Sequence, residues 1–205
     1  MKIPEYPQFE PINLDMRDEL YPALNMLGDG ISEFTFSGLY LFRRTYQYKV
    51  SHLTGKTFLI SGIKAGQPFV LAPCCVPDVP VLEDLLKSHM YLKNMSESQC
   101  KKERIMLEAN GFQVVEDRDN FDYYYNRHDL AELSGKTYHK KRNLVNAFLN
   151  SYSYEQKILD DTNVTDALTI VDAWREEKGV DGDYIASKEA LELYEHLGMR
   201  GAVYY

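Results

Sequence analysis

Apolar residues recur along the chain at two different spacings, and the switches between them mark out helices and strands. Residues 9–14 read as a strand ending at Asp15, a suitable N-cap. Met16, Leu20, Ala23, Leu24 and Leu27 then fall at helical spacing, and Gly28 and Gly30 stop that helix. A second helix fits residues 37–45, with Leu39, Leu41 and Phe42 inward. Three strands follow at residues 46–51, 57–61 and 68–72, joined by Thr54-Gly55-Lys56 and Lys64-Ala65-Gly66, the turn chemistry of antiparallel hairpins. Residues 80–92 read as helix. Ser96 with Gln99 forms a capping box that opens a helix to Asn110, and Gly111 ends it. Strands near 113–115 and 121–126 complete this part.

The pattern then begins again. Asp129 and Glu132 suggest a second capping box on a short helix ended by Gly135. A longer helix covers about 137–152, a strand 154–159 and a helix about 163–178. Residues 179–186 read as a polar loop, Ser187 as the cap of a last helix, and 201–205 as the start of a strand. Residues 9–15 align with 154–160 at an offset of 145. Leu20, Ala23, Leu24 and Leu27 match Val164, Ala167, Leu168 and Val171 at an offset of 144. The organisation expected is a first unit at 1–128, connecting helices at 129–152 and a partial second unit at 153–205. The fold class expected is α/β with a mixed sheet, its second repeat incomplete.

Composition supports a packed core: hydrophobic residues are 44% and aromatics 13%, with sixteen tyrosines against one tryptophan. No apolar run approaches the ~20 residues that span a bilayer. The first residues lack a signal-peptide stretch, and Cys74, Cys75 and Cys100 cannot all pair, so a cytoplasmic protein with reduced thiols is expected. Charge is uneven. Residues 1–154 hold 18 Lys/Arg against 19 Asp/Glu, whereas 155–195 hold 4 against 12, as much as the whole net charge of −8. Such a field does not attract nucleic acid globally, although a local basic patch still can.

That patch lies at Lys136, His139, Lys140, Lys141 and Arg142, followed by Asn143. At 100° per residue, Leu144, Val145, Phe148, Leu149 and Tyr152 share one arc of the helix, and Lys141 falls within it. Lys136, Lys140 and Asn143 lie opposite, and Arg142 flanks the arc near Leu149. A lysine on that stripe must snorkel or meet a buried partner. Lys141 and Arg142 could therefore line a pocket for a carboxylate or phosphate, or instead pair with the acidic segment downstream. His139 beside Tyr138 is a candidate base, although exposed histidines usually do no chemistry. Cys74 and Cys75 have no neighbouring histidine and read as buried thiols. Tyr123, Tyr124 and Tyr125 could stack bases, but alternation along a strand favours packing on both faces. Asp117, Asp119 and Asp122 read as turn carboxylates, and no cluster has metal-ligand spacing.

The element order resembles the GCN5-related N-acetyltransferase (GNAT) fold. The stretch from Asp119 through Tyr125, with Asp129-Leu130, Leu133-Ser134-Gly135-Lys136-Thr137-Tyr138-His139-Lys140-Lys141-Arg142-Asn143 and Phe148, narrows this. It resembles a bacterial family of unknown function related to the C-terminal domain of phosphatidylglycerol lysyltransferase. Residues 33–42 fit the same family. The resemblance implies tandem acyltransferase-like units and transfer of an acyl or aminoacyl group to an amine or hydroxyl, on a lipid headgroup or small molecule. Substrate binding is expected at the basic run, by Lys136, His139, Lys141, Arg142 and Asn143, and the catalytic residues are unassigned. In this fold pyrophosphate rests on a Gly-rich turn before a helix, but residues 71–80 hold three prolines and no glycine. No cofactor is therefore expected in this chain, and acyl-CoA or aminoacyl-tRNA would be the donor if the second unit is completed. The expected partners are an anionic small molecule or lipid headgroup, aminoacyl-tRNA, or a second copy meeting an open sheet edge. The competing reading is a non-catalytic module that binds a ligand or partner.

Overall fold

Successive residues of three strands from Lys49 onward are buried, their alternate side chains falling into two separate clusters, and these strands form the centre of the protein. The structure, a computed structural model, describes residues 2–25, 28, 31–55, 57–179 and 181–205. The chain begins with β1 (Glu10–Pro11), a 3-10 turn at Leu14–Met16 and α1 (Arg17–Leu24). It continues through α2 (Phe36–Leu41), β2 (Lys49–Thr54), β3 (Thr57–Lys64) and β4 (Gln67–Leu71). Next come α3 (Val79–Leu85), β5 (Tyr91–Lys93) and α4 (Glu97–Ala109). The remainder is α5 (Arg127–Glu132), α6 (His139–Ser151), β6 (Gln156–Ile158), α7 (Val164–Lys178), α8 (Tyr184–Glu192) and β7 (Ala202–Tyr204).

One sheet runs in the order β1-β2-β3-β4-β5, antiparallel except for the parallel pair β4–β5. A second sheet pairs β6 with β7 antiparallel, with Lys157 opposite Val203. The main core packs Leu20 and Leu24 of α1 and Phe36 and Leu39 of α2 against Val50, Ile60, Phe69 and Leu71 of the sheet. Leu59, Val70, Ala72 and Leu85 form a smaller cluster. Leu197, just beyond α8, is buried in the main core and Leu193 packs against that core, while α8 lies against α2, which docks the C-terminal helical hairpin onto the first region.

Several expected elements change on folding. The strand at 9–14 shrinks to two residues, and Asp15 sits inside the 3-10 turn instead of capping a helix. Of the first helix's signals, Leu27 and Gly30 lie outside the described residues, as does Lys56 in the first hairpin turn. The helix expected at 80–92 ends at Leu85, and Tyr91–Lys93 is a strand. His89 makes the break. Its Nδ1–H donates to the Leu85 carbonyl at 2.9 Å, leaving Nε2 to accept from Ser61 Oγ at 2.8 Å, while the Met90 amide donates to Pro68. The strands expected near 113–115 and 121–126 are absent among the described residues, where the chain is extended around a 3-10 turn at Arg118–Asn120. Asn126, rather than an Asp129–Glu132 box, caps α5 by accepting from the amides of His128 and Asp129. The last helix starts at Tyr184, so Ser187 lies within it. The box at Ser96 forms as expected: Ser96 Oγ accepts from the Gln99 amide at 3.1 Å and Gln99 Oε1 from the Ser96 amide at 3.0 Å.

Candidate functional site

No carboxylate occurs between Glu132 and Glu155, so the approach to α6 is an uncompensated cationic segment. Lys136, His139, Lys140, Lys141 and Asn143 are exposed, and none of these cations forms an ion pair among the described residues. His139, Lys140, Lys141 and Arg142 occupy the first turn of α6, the positive end of the helix dipole, where cations are disfavoured and an anion is stabilised. Asn143 Nδ2 lies 3.5 Å from His139 Nδ1, one turn earlier.

Arg142 behaves differently. It is half-buried, and its Nη1 donates to the carbonyls of Leu133 and Gly135. Leu133, at φ 49°, is the left-handed C-cap of α5, so Arg142 satisfies carbonyls that the end of that helix leaves open. The expected apolar arc of α6 exists, but it faces solvent: Leu144 is 72% exposed, and Val145, Phe148, Leu149 and Tyr152 are exposed with it. Lys141 therefore has no apolar surroundings to escape, which removes the choice between snorkelling and a buried partner.

The acidic C-terminal segment does pair with a cation, though not with one from α6. Arg43, just after α2, grips Glu189 of α8 through two hydrogen bonds of 2.8 Å each, and its guanidinium stacks 3.6 Å from the Tyr40 ring centroid. Arg44 stands 3.7 Å from the same carboxylate. The hydrogen bond from Arg43 holds the Glu189 carboxyl below its usual range, and the same bond raises Arg43. This pair fixes the seam between α2 and the helical hairpin.

A cleft of about 200 Å³ opens between Ser32–Glu33 and the rings of Phe42, Tyr46 and Tyr48, with Gly38 in its wall. Gly62 of β3 permits this aromatic packing, because a Cβ there would meet Phe69 Cζ at 2.5 Å and Tyr48 Cε1 at 2.9 Å. Lys93, the last residue of β5, lays its Nζ 4.4 Å from the Phe69 centroid and 5.8 Å from that of Tyr46. It is half-buried and has no ion-pair partner among the described residues. Burial first, and then the charge of Lys64, push its ammonium below the usual lysine range, while Glu33 and Asp117 oppose this. Glu33 is also half-buried, and it accepts only from Ser32 Oγ at 3.3 Å among the described residues. The Ser32 amide and hydroxyl both donate to Asp122, at 3.0 and 2.8 Å, tying the tyrosine-bearing segment to the rim.

Sequence reasoning missed Glu33 at the cleft and Lys93 on the aromatic rings, since their neighbours are far away in the chain and the helix expected at 80–92 ends just before Lys93. The one local signal was a lysine closing the apolar Tyr91-Leu92 pair. Of the other candidates, Cys74 is half-buried and burial raises its thiol, which disfavours a thiolate nucleophile. Tyr123 and Tyr124 stand exposed instead of packing on two faces, and the rings of Tyr123 and Tyr125 stack at 6.4 Å. Asp117 accepts from Asn120 Nδ2 at 2.6 Å, and no described group of three or more His, Cys, Asp or Glu side chains is arranged to hold a metal ion. No described helix is long and apolar enough to cross a membrane.

Comparison with solved structures finds similarity to a conserved protein of unknown function from Bacteroides thetaiotaomicron VPI-5482. The two are 25% identical with a TM-score of 0.80, over 96% of this chain and 71% of that one. No curated protein matches. The sequence profile of the family described as phosphatidylglycerol lysyltransferase, C-terminal, matches residues 25–205. That span takes in the aromatic cleft, the cationic segment and the docked hairpin alike, and the chain belongs to this family.

Proposed function

We propose that this protein is an acyltransferase-like member of its family that passes an acyl or aminoacyl group to the amine or hydroxyl of a lipid headgroup, through two units of one GNAT-like fold. The family's description names lysyl transfer and phosphatidylglycerol, an anionic lipid. The observation that carries the reading is the cationic first turn of α6 beside an open apolar face. An anionic headgroup would gain from both the unpaired charges and the helix dipole, and acyl chains would meet Leu144 and Phe148. Lys136, His139, Lys141 and Asn143 would contact the anion. Arg142 would do so with the three N–H groups that make no hydrogen bond among the described residues, while its Nη1 holds the turn.

Two topological features support the GNAT-like assignment. The antiparallel meander β2–β4 is followed by a helix and a parallel strand. In addition, β1-α1-α2-β2 and β6-α7-α8-β7 share one plan, two helices between strands that pair antiparallel. The first unit does not fit the pyrophosphate of coenzyme A. Its turn ends in the Asp78 carboxylate at the N-cap of α3, a helix of seven residues, and Pro80 lacks an amide proton. The donor would therefore be held elsewhere, and aminoacyl-tRNA is the donor class that the family's description favours.

The test uses tRNA charged with labelled lysine and vesicles containing phosphatidylglycerol, with label counted in the extracted lipid. The reading requires label in the lipid and its loss in K136A/K141A. Vesicle binding without transfer would instead establish the non-catalytic binding module, and neither binding nor transfer would overturn both.

A further inference from the structure

The cleft beside α2 has an aromatic wall, an acidic rim and one buried hydroxyl without a partner. Phe42, Tyr46 and Tyr48 line it, with ring centroids 6.4 and 5.3 Å apart in succession and planes tilted by 47° and 35°. Tyr48 is 4% exposed, yet its hydroxyl has no hydrogen-bond partner among the described residues. Buried hydroxyls are ordinarily bonded, and the cleft that Tyr48 lines is where a ligand can meet this one. Glu33 stands on the same lining. Burial, then Tyr46 and then Glu33 raise the pKa of the Tyr48 hydroxyl, so the Glu33 charge reaches that group. The rim is doubly acidic. Ser32 Oγ lies 2.8 Å from Asp122 Oδ1 and 3.3 Å from Glu33 Oε2, but it has a single proton to donate. The shorter contact takes it, which leaves Glu33 as an acceptor without a committed donor among the described residues. Lys93, on Phe69 and Tyr46 but outside the lining, offsets one of these two carboxylates at most.

From this arrangement we infer that the cleft is a binding site for a small alkylammonium ion. The ammonium donates to Glu33 and to the Tyr48 hydroxyl, and the ring of Tyr46 beside them attracts its charge. The alkyl chain lies along Leu39 and the ring of Phe42. An anion would meet a carboxylate and ring faces of its own sign, and a neutral alcohol brings no charge to either. The size agrees. About 200 Å³ lies below the ~300–1,000 Å³ of drug-sized pockets and suits a chain of a few carbons. This inference stands apart from the transfer reaction, since binding is read with no donor or lipid present.

The experiment is ligand-observed NMR on the whole chain with the straight-chain amines from propylamine to hexylamine and the alcohols of the same lengths. Concentrations run up to ~10 mM to reach millimolar affinities. At neutral pH these amines are charged, since alkylammonium groups titrate near the lysine value of about 10.4. At least one amine is expected to bind, about tenfold or more tightly than its alcohol, which keeps the chain and loses the charge. Glu33→Gln should cut that preference to about threefold, the share that ring faces supply alone. Tyr48→Phe removes only the hydroxyl and should weaken the amine about fivefold. The amine–alcohol comparison on the unaltered protein stands even if a variant misfolds. Absence of amine binding, equal binding of amine and alcohol, or a full preference kept by Glu33→Gln would overturn the inference.

Discussion

The first 110 residues and the last 77 are both built from amphipathic helices and short strands, but they treat their apolar faces in opposite ways. Among the described residues, the only buried hydrophobic side chains from beyond Leu107 are Leu197 and Val203. In the first region α1 and α2 lie on five strands and their stripes vanish from solvent. In the second, α6 and α7 have two three-residue strands for company, and Leu144, Phe148, Leu149 and Ile170 remain exposed. The difference shows that helical periodicity creates an apolar stripe without determining whether anything covers it. Burial depends on an opposing surface, and recognition can use the faces left open.

Substitutions can break this contrast or sharpen it. Phe69→Ala should have the largest effect, about 3–5 kcal/mol, because the ring is fully buried and supports the cleft. Phe148→Ala, the same change on α6, should cost about 1 kcal/mol or less in chemical denaturation followed by circular dichroism. Equal losses would erase the distinction between the regions.

Next comes the seam. Arg43→Met should cost about 2 kcal/mol, somewhat less than breaking a fully buried pair, since both side chains retain slight exposure. The sole tryptophan, Trp174, lies on α7, so its fluorescence reports this hairpin. Because the folded Glu189 carboxyl is held below its usual range, the pair's stabilisation is full above the ordinary carboxylate pKa of about 4.3. It is lost as pH falls through the lower, folded value. Glu189→Gln should flatten that acid dependence, and an unchanged acid transition would show that the seam contributes nothing.

Ser96→Ala removes half of a formed capping box and should cost about 1 kcal/mol, visible as a lower denaturation midpoint with an unchanged slope. His52 should have the smallest effect. Both of its ring nitrogens face acceptors, the Gly55 carbonyl and then Glu5, which favours the charged ring and raises its pKa. Its contribution is therefore full below the ordinary histidine value of about 6.5 and fades as pH rises through the folded one. His52→Gln should remove that alkaline-side loss, and a persistent loss would assign it to another group.

What the sequence revealed divides along the same physical line. Signals carried by neighbouring residues were legible: the Ser96–Gln99 box, the end at Gly111, both β-hairpins and the apolar arc of α6. The strand at Tyr91–Lys93 was not, because three residues pair in parallel only once β4 supplies an edge and His89 stops the preceding helix. The same holds for the cleft, where Ser32 and Glu33 meet the rings of Phe42, Tyr46 and Tyr48 only in the folded chain. It holds also for the seam, where Arg43, and not Lys141 or Arg142, meets the acidic segment. The cationic segment was visible from charge alone, but its solvent-facing geometry and the capping duty of Arg142 emerged only with the fold.

Amide hydrogen exchange read by mass spectrometry, with and without vesicles containing phosphatidylglycerol, tests the account most directly. Strands β2–β4 should exchange slowly in both conditions, whereas residues 136–152 should exchange fast in the free protein and slow when the anionic lipid is present. Protection of residues 136–152 that already matches β3 in the free protein, or that does not change on adding the lipid, would contradict it.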